Sequence, residues 1–164
     1  MTQSLCGVVD DNEKIARIVS KEWIVDGELQ QTAFVLKPRE TYLSVNRLSV
    51  HSYAEDVANF VSNHPKFLFE ENSYQRALLS VSAVRAIDVF DEAGEKLDIN
   101  VEVEAREAHV KSHAGIFVRS DSTNIIPERM LPDEMISKDV SVNTVLQDIR
   151  WGLLELAELQ ECKI

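Results

Sequence analysis

The segment from residue 97 to residue 106 alternates strictly between apolar and polar side chains. Its apolar members are Leu97, Ile99, Val101, Val103 and Ala105. A period of two is that of a β-strand, in which successive side chains point to opposite faces of the sheet. We therefore predict a strand with one buried face and one wet face, and the polar positions make that wet face acidic.

Other segments rich in β-branched and apolar residues also favour strands, and turn-forming residues separate several of them. Asp26-Gly27 predicts a tight turn after the first strand, and residues 91–94 predict another turn before the alternating segment. Residues 120–140 contain two prolines and little periodicity, which is typical of a long loop. The further predicted strands are residues 14–25, 31–36, 41–45, 75–90 and 108–119.

Helical spacing occurs in two places. Ser52 and Glu55 have the three-residue separation of a capping box, and Val57, Phe60 and Val61 follow as an apolar stripe that ends near residues 63–65. The second and longer helix is predicted over residues 142–161, with its apolar stripe facing the sheet. That stripe consists of Val142, Val145, Leu146, Ile149, Leu153, Leu156 and Ala157.

Together these elements predict an α+β fold, with a mainly antiparallel sheet packed by the mid-chain helix and the C-terminal amphipathic helix. The regular alternation of strand and helix that builds a parallel nucleotide-binding sheet is missing from the pattern. No linker or internal repeat divides the chain, so residues 1–164 are expected to form a single domain.

The formal net charge of the 164-residue chain is −11, and the acidic excess is concentrated in its second half. Phosphates repel such a chain, so nucleic acid is an unexpected partner. The charge is explained either by solubility alone or by an acidic face that binds a basic partner protein. We expect no cofactor, since none of the usual phosphate-loop, dinucleotide or metal motifs is present.

A cytoplasmic location is expected because neither a signal peptide nor a membrane span is found in the sequence. The first residues lack the basic start and apolar core of a signal peptide, and no segment reaches the roughly 18 apolar residues of a membrane span. Cys6 and Cys162 stand near opposite termini and are expected to be reduced thiols.

Candidate ligand-binding residues lie on or beside the first three predicted strands. Arg17, Arg39 and Arg47 carry guanidinium groups, which grip phosphate or carboxylate in a bidentate manner. Their ordinary alternative is an ion pair with a neighbouring carboxylate. Ser44 and Asn46 add polar side chains beside Arg47 that can line a site. Ser44 is a candidate catalytic residue, although it fits no nucleophile motif.

His113 is the candidate acid or base, because it precedes two small residues, Ala114 and Gly115, at the start of an apolar strand. The alternative is a hydrogen-bonded surface histidine with Gly115 marking a bulge. His109 is four residues earlier, which on a strand corresponds to roughly 13 Å, too far for the two histidines to share one metal ion. Glu102 and Glu104 share a strand face, and as a pair they are either solubilising or acid/base carboxylates.

Several short motifs resemble those of a group of small bacterial proteins to which no activity is assigned. The resemblance covers roughly residues 15–118 and implies a bacterial cytoplasmic protein. It also implies that Arg17, Ser44, Arg47 and His113 would be the polar members of any shared site. The motifs are Arg17 before Trp23, then Asp26-Gly27, Ala33-Phe34, Leu43-Ser44-Val45-Asn46-Arg47 and Ser112-His113-Ala114-Gly115-Ile116.

Two functions of different classes follow from these observations. The first is a non-catalytic interaction domain whose acidic face meets a basic protein, and it rests on the charge and on the long loop. The second is a small enzyme or sensor for a phosphorylated or nucleotide-like ligand. In that hypothesis Arg17 and Arg47 hold the anion, and His113 acts as acid or base in the same pocket.

Overall fold

The computed structural model describes residues 8–36, 40–50, 52–63, 73–106, 111–120, 123–126 and 142–163. Helices α1, α2 and α3 span Tyr53–Asn63, Val81–Arg85 and Val142–Leu156, and short 3-10 helices cover Lys21–Trp23 and Gln31–Phe34. The strands are β1 (Lys14–Val19), β2 (Ile24–Val25), β3 (Glu28–Leu29), β4 (Leu43–Arg47), β5 (Ser73–Ser80), β6 (Asn100–Ala105), β7 (His113–Ser120), β8 (Thr123–Asn124) and β9 (Glu158–Lys163).

One seven-stranded sheet organises the fold, in the order β6-β7-β4-β1-β5-β9, with β8 added beside β7. Every neighbouring pair of strands is antiparallel, and β2 and β3 form a separate two-stranded hairpin. The chain crosses from β4 to β5 through α1, and β1 lies between these two strands. The predicted α+β class, with a mainly antiparallel sheet and two packed helices, is confirmed.

The main core lies between one face of the sheet and α3. Ile15, Val45 and Ala114 on adjacent strands belong to it, and each is at most 1% exposed. Four residues of the predicted helical stripe are buried there: Val145, Leu146, Ile149 and Leu153. Burying an aliphatic side chain of this size contributes about 1.5–3 kcal/mol, so this stripe holds the helix on the sheet. No helix in the described part of the chain is long and apolar enough to cross a membrane.

The opposite face of the sheet is also partly covered. Ala16, Ile18 and Phe117 are buried but lie outside the main core cluster, as does Val57 of α1. Ala16 and Ile18 on β1 alternate with core residues such as Ile15, and Phe117 on β7 follows the core residue Ile116. The sheet therefore buries side chains on both faces, and this second face carries most of the candidate site described below.

The predicted capping box of α1 is present. The backbone N–H of Glu55 donates to the Ser52 hydroxyl at 3.2 Å, and the Ser52 N–H donates to the Glu55 carboxylate at 3.1 Å. Two N–H groups that the first turn leaves unsatisfied are thereby paired. Residues 64 and 65, predicted to end the helix, lie outside the described residues.

We expect Ser52→Ala to lower the free energy of unfolding by about 1 kcal/mol, because the Glu55 N–H loses its acceptor at the start of α1. Urea unfolding followed by circular dichroism measures the change. Ser62→Ala, at an exposed position near the other end of the same helix, is the matched control. Equal losses in the two variants would contradict a specific role for the cap.

The first predicted strand, residues 14–25, is wrong in its second half. β1 ends at Val19, and the Trp23 N–H donates to the Ser20 carbonyl at 3.0 Å within a 3-10 turn. The polar run from Ser20 to Glu22 leaves the sheet, and Ile24 and Val25 form β2 of the small hairpin. The Asp26-Gly27 turn is confirmed, with φ values of 52° and 80°.

Residues 31–36 were predicted as the returning strand, which is also wrong. Only Glu28–Leu29 pairs back with β2, and Gln31–Phe34 is a 3-10 helix. Ala33 and Phe34 are at most 1% exposed and belong to the main core. Burial of these two side chains, rather than a strand ladder, fixes the local backbone.

The predicted strand over residues 75–90 ends early, at Ser80, and continues as α2. Ser80 pairs with Lys14, the first residue of β1, so β5 has no neighbour there to extend the ladder. The next N–H groups instead find acceptors before β1: Val81 donates to the Glu13 carbonyl at 3.1 Å and Ser82 to the Asp11 carbonyl at 3.2 Å.

The C-terminal helix was predicted to reach residue 161, but it ends at Leu156 and the chain turns into β9. β9 pairs with β5, whose other side is already bonded to β1. Pairing of six residues along this open edge outweighs one more turn of helix. The strands predicted at residues 41–45, 97–106 and 108–119 correspond to β4, β6 and β7. Most of the predicted 120–140 loop lies outside the described residues, and residues 123–124 form β8.

Candidate functional site

Arg17 connects three parts of the fold. Its Nε donates to the Ala33 carbonyl at 2.6 Å and its Nη1 to the Ser44 carbonyl at 2.8 Å, and its guanidinium stacks on the Trp23 ring at 5.4 Å. Burial lowers the pKa of Arg17 to about 10, partly offset by the Glu40 carboxylate, so the side chain stays cationic at neutral pH. These bonds join β1 to the 3-10 helix and to β4.

Arg47, which is buried, makes a bidentate ion pair with the partly buried Glu13. Nε and Nη2 donate to the two carboxylate oxygens at 2.8 and 2.7 Å, and the arginine side chain is only 2% exposed. Burial raises the pKa of the Glu13 carboxyl. The Arg47 hydrogen bond and charge, the Asp10 N–H and the Ser49 hydroxyl outweigh that effect and hold the pKa below its usual range. Arg47 thus ties β4 to the start of β1.

A second buried polar contact joins α1 to Ser112, the residue directly before β7. The Ser112 hydroxyl donates to Asp56 at 2.7 Å and also lies 3.3 Å from the Asn46 side-chain oxygen. Ser112 and Asp56 are 0% and 3% exposed. Asp56 is not among the candidates predicted from the sequence. Its signal there is a carboxylate directly before Val57, the first residue of the predicted apolar stripe of the helix.

The register of β4 and β7 decides which candidate residues lie together. Asn46 pairs with His113, and Ser44 pairs with Gly115. Paired residues share a face while neighbours along a strand alternate, so Ser44, Asn46 and His113 point away from the face that carries Arg47. Arg17 is on the same face as Arg47, since Ile15 pairs with Arg47 and Arg17 is two residues further along β1. The pocket envisaged for Arg17, Arg47 and His113 is therefore not assembled.

Around His113 the structure assembles a group that the sequence analysis did not identify, which we call the aromatic–arginine face. The Tyr42 ring lies 5.8 Å from the His113 ring and 4.9 Å from the Phe117 ring. The guanidinium groups of Arg106 and Arg119 stand 4.6 and 4.3 Å from the centre of the Phe117 ring. The face consists of Tyr42, Glu104, Arg106, His113, Phe117 and Arg119, and Gly115 lies beneath it.

Gly115 makes this arrangement possible. A Cβ at this position would lie 2.8 Å from Cγ of Tyr42 and 3.0 Å from Cε2 of Phe117. The missing side chain lets the tyrosine ring lie across the backbone of β7, as aromatic side chains do over glycine in other sheets. Tyr42 lies two residues before Ser44, and Phe117 lies four residues after His113. Following the strand period of two from these candidates would have found both rings.

The carboxylates on β6 are paired with arginines. Glu104 binds both Arg106, at 3.2 Å, and Arg119, whereas Glu102 binds Arg85 of α2 at 2.8 Å. The hydrogen bond from Arg119 is the main cause that holds the pKa of Glu104 below its usual range. Glu102 and Glu104 share a face as predicted, but ion pairs hold both carboxylates and an acid/base pairing gains no support.

A turn leads into β6, and we call residues 88–98 the acidic turn; its tip is exposed, while Val89 and Leu97 are buried in the core. It contains five carboxylates and one lysine, and Lys96 pairs with Asp88 at 3.2 Å. The Asp91 carboxylate accepts the N–H groups of Ala93 and Glu95, both at 2.9 Å, which confirms the predicted turn. Phe90, near the start of the acidic turn, is 51% exposed. The carboxylates are those of Asp88, Asp91, Glu92, Glu95 and Asp98.

The remaining chemical candidates lie largely outside the described residues. His109, Arg39 and Cys6 are among the residues not described, as is the side chain of Cys162. Within the described ranges, no group of three or more histidine, cysteine, aspartate or glutamate side chains is arranged to hold a metal ion. Comparison with protein-family models, curated proteins and solved structures finds no match to this chain.

Proposed function

We propose that this chain is a non-catalytic interaction domain that binds a basic partner protein through the acidic turn. The observation that carries the proposal is the density of exposed carboxylates around one exposed aromatic ring, that of Phe90, in a chain of net charge −11. An aromatic anchor inside a polar rim is the usual arrangement at protein interfaces.

The backbone of the acidic turn is ordered by its own hydrogen bonds, which favours recognition. Besides the two bonds to the Asp91 carboxylate, the Asp91 N–H donates to the Glu95 carbonyl at 2.8 Å and the Gly94 N–H to the Asp91 carbonyl at 3.0 Å. Gly94 has a φ of 83°, which a side chain would disfavour. A turn fixed in this way loses little conformational entropy when a partner binds.

The sign of the charge supports a basic partner. Carboxylates that stand exposed around a binding site accelerate association with a positively charged protein and repel acidic competitors. The same field disfavours nucleic acid. The ligand-binding alternative has less support, because Arg17 and Arg47 are engaged by carbonyls and by Glu13 on the face opposite His113.

Charge reversal in the acidic turn tests the proposal. We expect Glu92→Lys with Glu95→Lys to weaken the complex with a co-purified partner at least about tenfold, measured by titration calorimetry at fixed salt. The matched control is Glu22→Lys with Glu28→Lys, two exposed positions outside the acidic turn that change the net charge equally. Unaltered binding by the turn variant, or equal weakening by both variants, would contradict a binding surface at the turn.

A further inference from the structure

The aromatic–arginine face holds its two arginines in fixed orientations. Both guanidinium groups lie against the Phe117 ring, and Arg106 is also 5.9 Å from the Tyr42 ring. Phe117 is 2% exposed, so these groups and their neighbours cover it completely. Stacking on an aromatic ring restrains a guanidinium group while leaving its N–H edge able to bind oxygen acceptors.

Among the described residues, the charges on this face are not balanced. One carboxylate, Glu104, serves both Arg106 and Arg119. Described residues accept two of the five N–H groups of Arg106 and three of the five of Arg119. The side chains of Arg106 and Arg119 are 40% and 21% exposed, so both reach solvent. Two guanidinium cations and one carboxylate leave a net charge of +1, which a second carboxylate would neutralise.

We propose that the aromatic–arginine face docks a carboxylate group of a partner protein, with an apolar residue of that partner against Tyr42. A carboxylate carries the single negative charge that neutralises the group, and it matches guanidinium geometry in a bidentate manner. A polyanion would instead meet the repulsive field of a chain with net charge −11. The carboxylate belongs to an aspartate or glutamate side chain or to a chain terminus.

This surface has the opposite charge to the acidic turn, and its test is independent of the function proposed above. The two proposals can fail separately, because the variants that test the acidic turn and those that test the aromatic–arginine face change different residues. A domain with both surfaces can hold two partner segments of opposite charge.

Three dipeptides, which differ only in their second residue or in their C-terminal group, are the probes. They are N-acetyl-Phe-Glu-amide with a side-chain carboxylate, N-acetyl-Phe-Gln with a terminal carboxylate, and neutral N-acetyl-Phe-Gln-amide; inorganic phosphate is a fourth titrant. We expect the Nε–H NMR signals of Arg106 and Arg119 to shift saturably with at least one of the two carboxylate dipeptides. Which of these two dipeptides binds shows whether the face accepts a side-chain carboxylate, a terminal carboxylate or both. No saturable shift with either carboxylate, an equal shift with the neutral dipeptide, or a response to phosphate alone would overturn the proposal.

Two variants separate docking from a purely structural role. Arg106→Gln is expected to weaken carboxylate binding at least about tenfold, whereas Arg76→Gln leaves it unchanged. Arg76 lies on the same sheet face, on β5, and three strands separate β5 from β6. Glu104→Gln is expected to strengthen binding several-fold, because the internal competitor for both guanidinium groups is removed. Thermal unfolding confirms that each variant is folded. Unchanged or weaker binding by folded Glu104→Gln would overturn the proposal.

Discussion

We expect Arg47→Met to lower the free energy of unfolding by about 3–5 kcal/mol, the cost of breaking a buried ion pair from one side. Of the described residues, the Asp10 N–H and the Ser49 hydroxyl would still donate to the Glu13 carboxylate, whose side chain is 13% exposed. Urea unfolding at pH 7 measures the loss. Arg76→Met is the control, since its guanidinium bonds Gln160 at the surface, and we expect it to cost less than about 1 kcal/mol.

A double variant and a pH series test the cause of that loss. Adding Glu13→Gln to Arg47→Met should recover part of the stability, because the partly buried carboxylate that has lost its guanidinium partner is removed. The folded state holds the pKa of Glu13 below its usual range. The pair therefore stabilises fully above the ordinary carboxyl pKa of about 4.3, and this contribution is lost as pH falls through the folded-state value. The gap between wild type and Arg47→Met should narrow below about pH 4. A constant gap from neutral to acidic pH would contradict this account.

The second large effect is expected at Gly115. Gly115→Ala should cost about 2 kcal/mol, because its Cβ would overlap the Tyr42 ring in an already filled part of the sheet. In a Tyr42→Ala background the overlap with the tyrosine ring disappears and the 3.0 Å contact with Cε2 of Phe117 remains, while the added methyl group favours strand backbone. The cost should therefore fall to about half or less. Thermal and urea unfolding of the four chains measure the coupling. Equal costs in the two backgrounds would show that Tyr42 is not what requires the glycine.

Local patterns were sufficient for the parts of the fold that depend on neighbouring residues. The alternation in β6, the Asp26-Gly27 and Asp91–Gly94 turns, and the Ser52–Glu55 cap were each predicted because the interacting groups are at most a few residues apart. The fold class followed from their order.

Elements decided by distant pairing were not predictable in the same way. Residues 81–85 are helical because β1 begins at Lys14, and residues 158–163 are a strand because β5 offers an open edge. Neither cause is visible in the segment itself. Intrinsic preference is weak enough for such tertiary pairing to override it.

The candidate site shows the same division. Arg17, Arg47 and His113 were found by residue type, but the face that each one occupies depends on strand register. A shift of one residue would have placed Arg47, rather than Asn46, opposite His113. The sequence likewise could not show that the partner of Arg47 is Glu13, 34 residues away, or that Arg106 and Arg119 meet at Phe117.

Native mass spectrometry of the protein purified gently from its own host tests the central claim most directly. The interaction-domain account predicts a second protein chain at fixed stoichiometry, rich in lysine and arginine, that remains bound to the Glu22→Lys, Glu28→Lys variant. The same chain should be absent from the Glu92→Lys, Glu95→Lys variant. A small anionic molecule bound at unit stoichiometry, with no second protein in any preparation, would contradict the account and favour a ligand-binding function.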